Sequence, residues 1–257
     1  MRLLAVLSTF ICLGWVGSAQ AQSSGNALPS NALLSQIGET MYYVVESRAK
    51  VYIEPGGQPY VQLGFREPVY ILSTKGGWSR VQTQDGAQGY VRSSAVSNVW
   101  IRVSKRRKRV YLYRGMELLM EVPADFGYNA IMDKEIRGTE ANPDHWRTPE
   151  GSFFVVKKNP YSKFYKALLL NYPTGEDARR GLEHGLITER QHDAIMIAEK
   201  RSTVPPMNTA LGGMIEIHGD GTGLSTNWTQ GCVAVLNEHL DRLWNQVSVG
   251  TPVIIEK

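Results

Sequence analysis

From Tyr42 onward the chain alternates short apolar and β-branched runs with turn residues. Tyr42-Tyr43-Val44-Val45, Lys50-Val51-Tyr52-Ile53, Val69-Tyr70-Ile71-Leu72, Arg80-Val81-Gln82-Thr83 and Gly89-Tyr90-Val91 are strand-like. Turns are marked by Pro55-Gly56-Gly57, Lys75-Gly76-Gly77-Trp78 and Asp85-Gly86. Runs this short, regularly punctuated, predict a small all-β barrel. A second β unit begins near Val99, with Trp100 to Val103, Arg109 to Tyr113 and Leu118 to Val122 as its first strands. The run Lys105-Arg106-Arg107-Lys108 between them reads as a solvated hairpin tip, with a contact to anionic glycan or lipid as the functional alternative. The period then becomes helical. Thr188-Glu189-Arg190-Gln191 has the form of a capping box ahead of Ala194, Ile195, Ile197 and Ala198, and His184-Gly185 separates it from an earlier short helix. This pair is either plain scaffold or a lid. A last helix begins at Asn237, a good N-cap residue, with Leu240, Leu243 and Trp244 on one face.

The first residues follow a different pattern. Arg2 precedes an apolar stretch from Leu3 to Val16, and Ala19-Gln20-Ala21 is a small-x-small cleavage site. That combination predicts a signal peptide over 1–21 and an exported, periplasmic or wall-associated protein. Residues 22–41 are rich in Ser, Gly and Asn and read as a flexible linker. No later run approaches the roughly 20 apolar residues of a bilayer span. The net charge is +4, one less without Arg2. That balance suits an anionic cell-wall polymer and is too weak to argue for nucleic acid.

Of the two cysteines, Cys12 lies within the predicted signal and Cys232 remains. A lone thiol in an oxidising compartment is an inert buried residue, a site of intermolecular pairing, or a reactive group. Cys232 closes the run Trp228-Thr229-Gln230-Gly231-Cys232, and Ile217-His218-Gly219 lies shortly upstream at the end of a strand-like run from Leu211. A histidine within reach turns a thiol into a nucleophile. Gly231 allows a tight turn, and its N–H with that of Cys232 are candidates to face a developing oxyanion. The other histidines, His145, His184, His192 and His239, read as surface or structural. Glu216 reads as the outward position of an alternating strand, with the pocket face as the alternative.

Two resemblances follow from these motifs. The order Gly-Gly-Trp, Arg-Val-Gln, Asp-Gly and Gly-Tyr-Val, ending at Ser93-Ser94, resembles a bacterial SH3-type domain and implies a unit over 42–98 that binds wall peptides or packs as an adaptor. Trp78 and Tyr90 are then either its ligand-facing aromatics or its core. The Ile-His-Gly run, the Thr-x-Gly-Cys run and the helix at Asn237 resemble the catalytic core of the L,D-transpeptidases (YkuD-type) over 99–257. Arg147-Thr148-Pro149-Glu150-Gly151, Asn171-Tyr172-Pro173 and Pro205 to Gly213 resemble that family's upstream segments. The implied fold is mainly β: a small SH3-like barrel, then a transpeptidase-type β-sandwich or barrel with a helical insertion over 174–208 and a helix after the cysteine.

The resemblance implies Cys232 as nucleophile and His218 as proton acceptor. It implies Gly231 and Cys232 as the oxyanion turn and Thr229 in the Ser/Thr place before it; Gly219, Trp228 and Thr229 are the candidates for the substrate, with a packing role as the alternative for Trp228. No metal or organic cofactor is implied. The implied reaction is acyl transfer on peptidoglycan stem peptides through a cysteine thioester, with an amine of another stem peptide or a lysine of a wall-linked lipoprotein as acceptor. A cysteine hydrolase on the same fold is the alternative, and a non-catalytic wall-binding adaptor is a second. Gln230 stands where many members have His, and Ala234 where many have Arg or Asn, which leaves the acceptor open.

Overall fold

The computed structural model describes residues 41–257. The signal segment expected over 1–21 lies outside them, as does the expected linker except for Met41, which opens the first strand.

Seven short strands form the first unit: β1 Met41–Val44, β2 Arg48–Tyr52, β3 Pro59–Gly64, β4 Pro68–Lys75, β5 Trp78–Thr83, β6 Gln88–Arg92 and β7 Val96–Ser97. They make one curled sheet in the order β3-β2-β6-β5-β4-β1-β7. The alternation read from the sequence sends Val44, Ala49, Val51, Val69, Val81 and Val91 inward. The unit's core is therefore aliphatic. Trp78 and Tyr90 are not core aromatics: both are only half-buried, and Trp78 meets the edge of Tyr52 on one side and the Arg92 guanidinium on the other. Strand β3 was not foreseen, because its Tyr60 and Val61 are exposed and only Leu63 reaches the core.

The second unit holds β8 Val99–Ser104, β9 Arg109–Arg114, β10 Glu117–Pro123, β11 Phe126–Gly127, β12 Gly151–Ser162, β13 Tyr165–Leu170, β14 Glu216–His218, β15 Asn227–Thr229, β16 Val233–Ala234 and β17 Pro252–Glu256. Eight of them form a sheet in the order β10-β9-β8-β17-β12-β13-β14-β16, and β11 pairs with β15 apart from it. One core runs the length of that sheet, from Val99 and Ile101 through Phe153 and Leu168 to Ile217 and Val233. Such a mainly β, curled arrangement matches the expected fold class. The strand-like run from Leu211 is ladder-paired only over its last three residues, since a bend at Gly212 and Met214, both with positive φ, precedes it.

The helical insertion is α1 Gly175–Glu183 and α2 Glu189–Lys200. Each starts on a complete capping box, Thr174 with Asp177 and Thr188 with Gln191. The third helix, α3 Asn237–Gln246, buries Leu240 and Leu243 in the main core. Its N-cap is Leu236 rather than Asn237. The Asn237 amide is instead turned back on the glycine-rich loop, where its Oδ1 accepts from the Asp220 N–H at 2.7 Å and its Nδ2 donates to Asp220 Oδ1 at 3.0 Å. A cap needs a free side chain, and this one is occupied.

The two units touch. Half-buried Tyr43 donates to the Val99 carbonyl at 2.7 Å, and the Arg66 guanidinium lies 3.8 Å from the Phe154 ring centre.

Candidate active site

Strand β14 runs parallel to β16, with Ile217 opposite Val233 and His218 opposite Ala234. Ile217 and Val233 are fully buried in the core. Side chains alternate along a strand, so Glu216 and His218 take the other face. Cys232, one step before Val233, shares that face by the same register. Both His218 and Cys232 line a cleft of about 540 Å³. None of the other four histidines lines it.

His218 is buried against the Phe164 ring, with ring centres 4.3 Å apart, and Trp228 meets it edge-on. Its Nδ1 lies 2.7 Å from the Gly219 carbonyl oxygen. That oxygen can only accept, so Nδ1 carries the proton and Nε2 is left with the lone pair. Burial pulls the imidazole below its ordinary pKa, opposed by the Gly219 carbonyl and Asp220. The ring is thus neutral at rest and equipped to accept a proton.

The Cys232 thiol donates to the Met214 carbonyl at 3.3 Å. Burial pushes its pKa up to about 12, and the Glu216 carboxylate adds to this. The Glu216 backbone N–H, Lys134 and Lys163 act in the opposite direction. A neutral thiol beside a neutral imidazole is the resting state.

The turn before Cys232 departs from the sequence expectation. Gly231 adopts φ +131°, and a Cβ there would lie 2.6 Å from the Arg147 carbonyl oxygen. Glycine is required on both counts. Its N–H, however, is taken by Thr229 Oγ1 at 3.2 Å, and that hydroxyl donates to the Cys232 carbonyl at 2.7 Å. Gly231 and Thr229 therefore build the turn, and the Gly231 N–H does not face an oxyanion. The Cys232 N–H has no acceptor among the described residues. Gly219 is also corrected: it lies outside the cleft lining, its N–H is shared between the Phe164 and Lys166 carbonyls, and a side chain there would collide with Asn237 Oδ1. Trp228 and Thr229 do line the cleft, Trp228 with 40% of its surface exposed.

A model of the L,D-transpeptidase catalytic domain (YkuD) matches residues 98–255. The chain belongs to the L,D-transpeptidase family. Residues 41–97 fall outside that match. Among solved structures, Bd1075 of Bdellovibrio bacteriovorus is similar at 23% identity over 64% of this chain and 49% of that one, with a TM-score of 0.41. An L,D-transpeptidase from Xylanimonas cellulosilytica is similar at 14% identity over 62% and 60%, TM-score 0.38. One from Mycobacterium smegmatis is similar at 13% identity over 86% and 84%, TM-score 0.38. The chain spans about half the length of the first and 60% of the second. No curated protein matches it.

Within this transpeptidase-family domain, sequence reasoning missed three residues. Asp125 is fully buried and accepts from the backbone and hydroxyl of both Thr222 and Thr226, and from Trp228 Nε1 at 3.0 Å. Those bonds hold its carboxyl below the usual range against burial. Its backbone bridges Ala234 in both directions, and Ala234 is buried without remaining surface. The signal was a lone acid in the apolar run Val122-Pro123-Ala124-Asp125-Phe126. Glu216 is the second: it lines the cleft instead of facing outward, and burial raises its pKa while Lys163 lowers it. Lys134 is the third, buried on the cleft wall, and no spacing in the sequence announces it. Among the described residues no group of three His, Cys, Asp or Glu side chains is placed to hold a metal ion.

Proposed function

We propose that the chain is an exported L,D-transpeptidase acting on peptidoglycan stem peptides, with Cys232 as nucleophile and His218 as its base. The observation that supports this best is the parallel pairing of β14 with β16, which sets thiol and imidazole on one face of one cleft. The Cys232 sulfur attacks the carbonyl carbon of the third-position diamino acid. The thiol proton leaves the Met214 carbonyl for His218 Nε2, and from there goes to the nitrogen of the departing D-alanine as the C–N bond breaks and the C–S bond forms. An acceptor amine then attacks the thioester, gives a proton to His218, and the thiolate leaves and takes that proton back. The free Cys232 N–H is the donor available to the oxyanion, an interaction typically worth about 3 kcal/mol. A thiol held near pKa 12 favours proton transfer concerted with attack over a standing thiolate.

The unit over 42–98 serves in this reading as an SH3-type wall-binding module, supported by its short curled strands around an aliphatic core. Export rests on the leader-like residues 1–21. Similar structures include an L,D-transpeptidase of Mycobacterium tuberculosis with a faropenem-derived adduct, so a β-lactam is the natural probe. The purified protein is expected to gain the mass of one carbapenem, and Cys232→Ala to gain none. An unmodified wild-type protein overturns the assignment. With stem peptides, new cross-links in the mass spectrum mark transfer; trimmed peptides alone mark the hydrolase that Ala234 leaves open.

A further inference from the structure

Lys134 is 3% exposed, and it reaches the cleft past Gly212, whose missing side chain leaves room: a Cβ there would lie 3.2 Å from Lys134 Cε and 3.7 Å from Nζ. Its single acceptor among the described residues is the His145 carbonyl, at a long 3.4 Å. The charged neighbours are engaged elsewhere. Asp133 Oδ1 accepts from the backbone of Lys134 and Glu150, and its Oδ2 faces Arg180. Arg147 is bonded to Asp144 and the Asp133 carbonyl, and Arg137 to the Met207 and Thr209 carbonyls. Glu216, the one acid among the residues lining the cleft, makes no ion pair with Lys134 and feels the charge of Lys163. The loop carrying Lys134 is itself held by the insertion, through Arg180 Nη2 to the Lys134 carbonyl at 3.0 Å. A buried ammonium with one long hydrogen bond is costly unless an anion completes it.

The geometry points to Lys134 as a carboxylate subsite of the cleft, one that takes a carboxylate of the stem peptide next to the scissile bond. This rests on the stem-peptide reading above. Two carboxylates of the same chemistry qualify: the terminal carboxylate of the leaving D-alanine, and a second carboxylate on the diamino acid. Lys134 acts here as a binding residue that sets which peptides enter. Arg137, Arg147, Asp133 and the Cys232 sulfur are the charged and titratable groups that bear on it. Its pKa is pulled to about 8 by burial. An arriving carboxylate would restore it, so binding near pH 8 takes up a proton.

The test is calorimetry on Cys232→Ala protein, which binds without turning over. Three tetrapeptides are compared: the free acid, the same peptide amidated at its C-terminus, and one amidated at the second carboxylate. One amidation is expected to weaken binding roughly tenfold or more. Adding Lys134→Gln should weaken the free acid by the same factor, leave that amide unchanged, and abolish the buffer-dependent heat of proton uptake. Lys134→Arg, which keeps the charge, guards against misreading a folding defect and should retain most of the discrimination. Equal loss for acid and amides, or no loss, overturns the subsite and leaves the nucleophile assignment standing. Failure of the Cys232→Ala protein to bind any stem peptide overturns both.

Discussion

Two lysines are buried in the same domain, and their surroundings are opposite. Lys105 Nζ donates to the Met132 carbonyl at 2.7 Å, the Thr148 carbonyl at 3.1 Å and the Glu150 carboxylate at 2.7 Å. All three of its protons are used. Lys134, two residues along the chain from the Met132 carbonyl that Lys105 holds, has one long bond and an open cleft. Both pKa values fall with burial, but Glu150 works against the fall at Lys105. The difference separates a charge that holds the fold together from one kept available for a ligand. Removing each should therefore have opposite effects on stability.

The largest effect is expected at Lys105. Lys105→Met leaves Glu150 without its partner and two carbonyls without a donor. Breaking a buried pair by one partner costs about 3–5 kcal/mol, and the half-buried Glu150 places this near the lower end. Urea unfolding should show it as a shift in midpoint at constant m. No loss would mean that Lys105 is as dispensable to the fold as Lys134, and the contrast would collapse.

How far this contrast was legible beforehand depends on the kind of signal. Period-2 runs and capping boxes are local, so β1, β2, β4, β5 and β6 of the first unit, β8 to β10 of the second and the start of α2 could be read directly. The His218 and Cys232 assignment rests on a strand end and a glycine turn close together in the chain, and on a resemblance whose upstream segments begin at Arg147. Lys105 was misread as part of a solvated tip, because its partners at Met132, Thr148 and Glu150 are distant in sequence. Only Arg106 and Arg107 of that run are solvent-facing; Lys108 donates to the Ser225 carbonyl at 2.8 Å. Gly231 was read correctly as a turn and wrongly as a donor, since a glycine shows that the backbone bends and not where its N–H points. Asp125 and Lys134 owe their roles to contacts made after folding.

Asp125 belongs with Lys105 on the satisfied side. Its carboxylate receives five donors, and Trp228 hangs from it. Asp125→Ala should cost about 3 kcal/mol, since several of the freed donors lie in loops that can reach water. It should also loosen the cleft wall. Near-UV circular dichroism is expected to lose the Trp228 contribution, and the carbapenem adduct should form more slowly. An unchanged spectrum with unchanged stability would remove Asp125 from the structural set.

Lys134 carries the reverse expectation and the sharpest pH signature. In the folded protein its pKa is about 8, against roughly 10.4 in the unfolded chain. Between those values the unfolded chain binds more protons, so stability rises with pH across that window. Below pH 8 both states are protonated, and the full penalty of burying the ammonium is present. At 1.36 kcal/mol per pKa unit the shift amounts to about 3 kcal/mol, and relaxation of the real site trims it toward about 2 kcal/mol. Lys134→Met should then be more stable than wild type at pH 7 by about 2 kcal/mol, or roughly 4–8 °C in Tm for a domain of this size. The gap should close between pH 8 and 10.4. A variant less stable than wild type at pH 7, or a gap that ignores pH, would place Lys134 with Lys105 as a residue of the fold, and the cleft would lose its reserved charge.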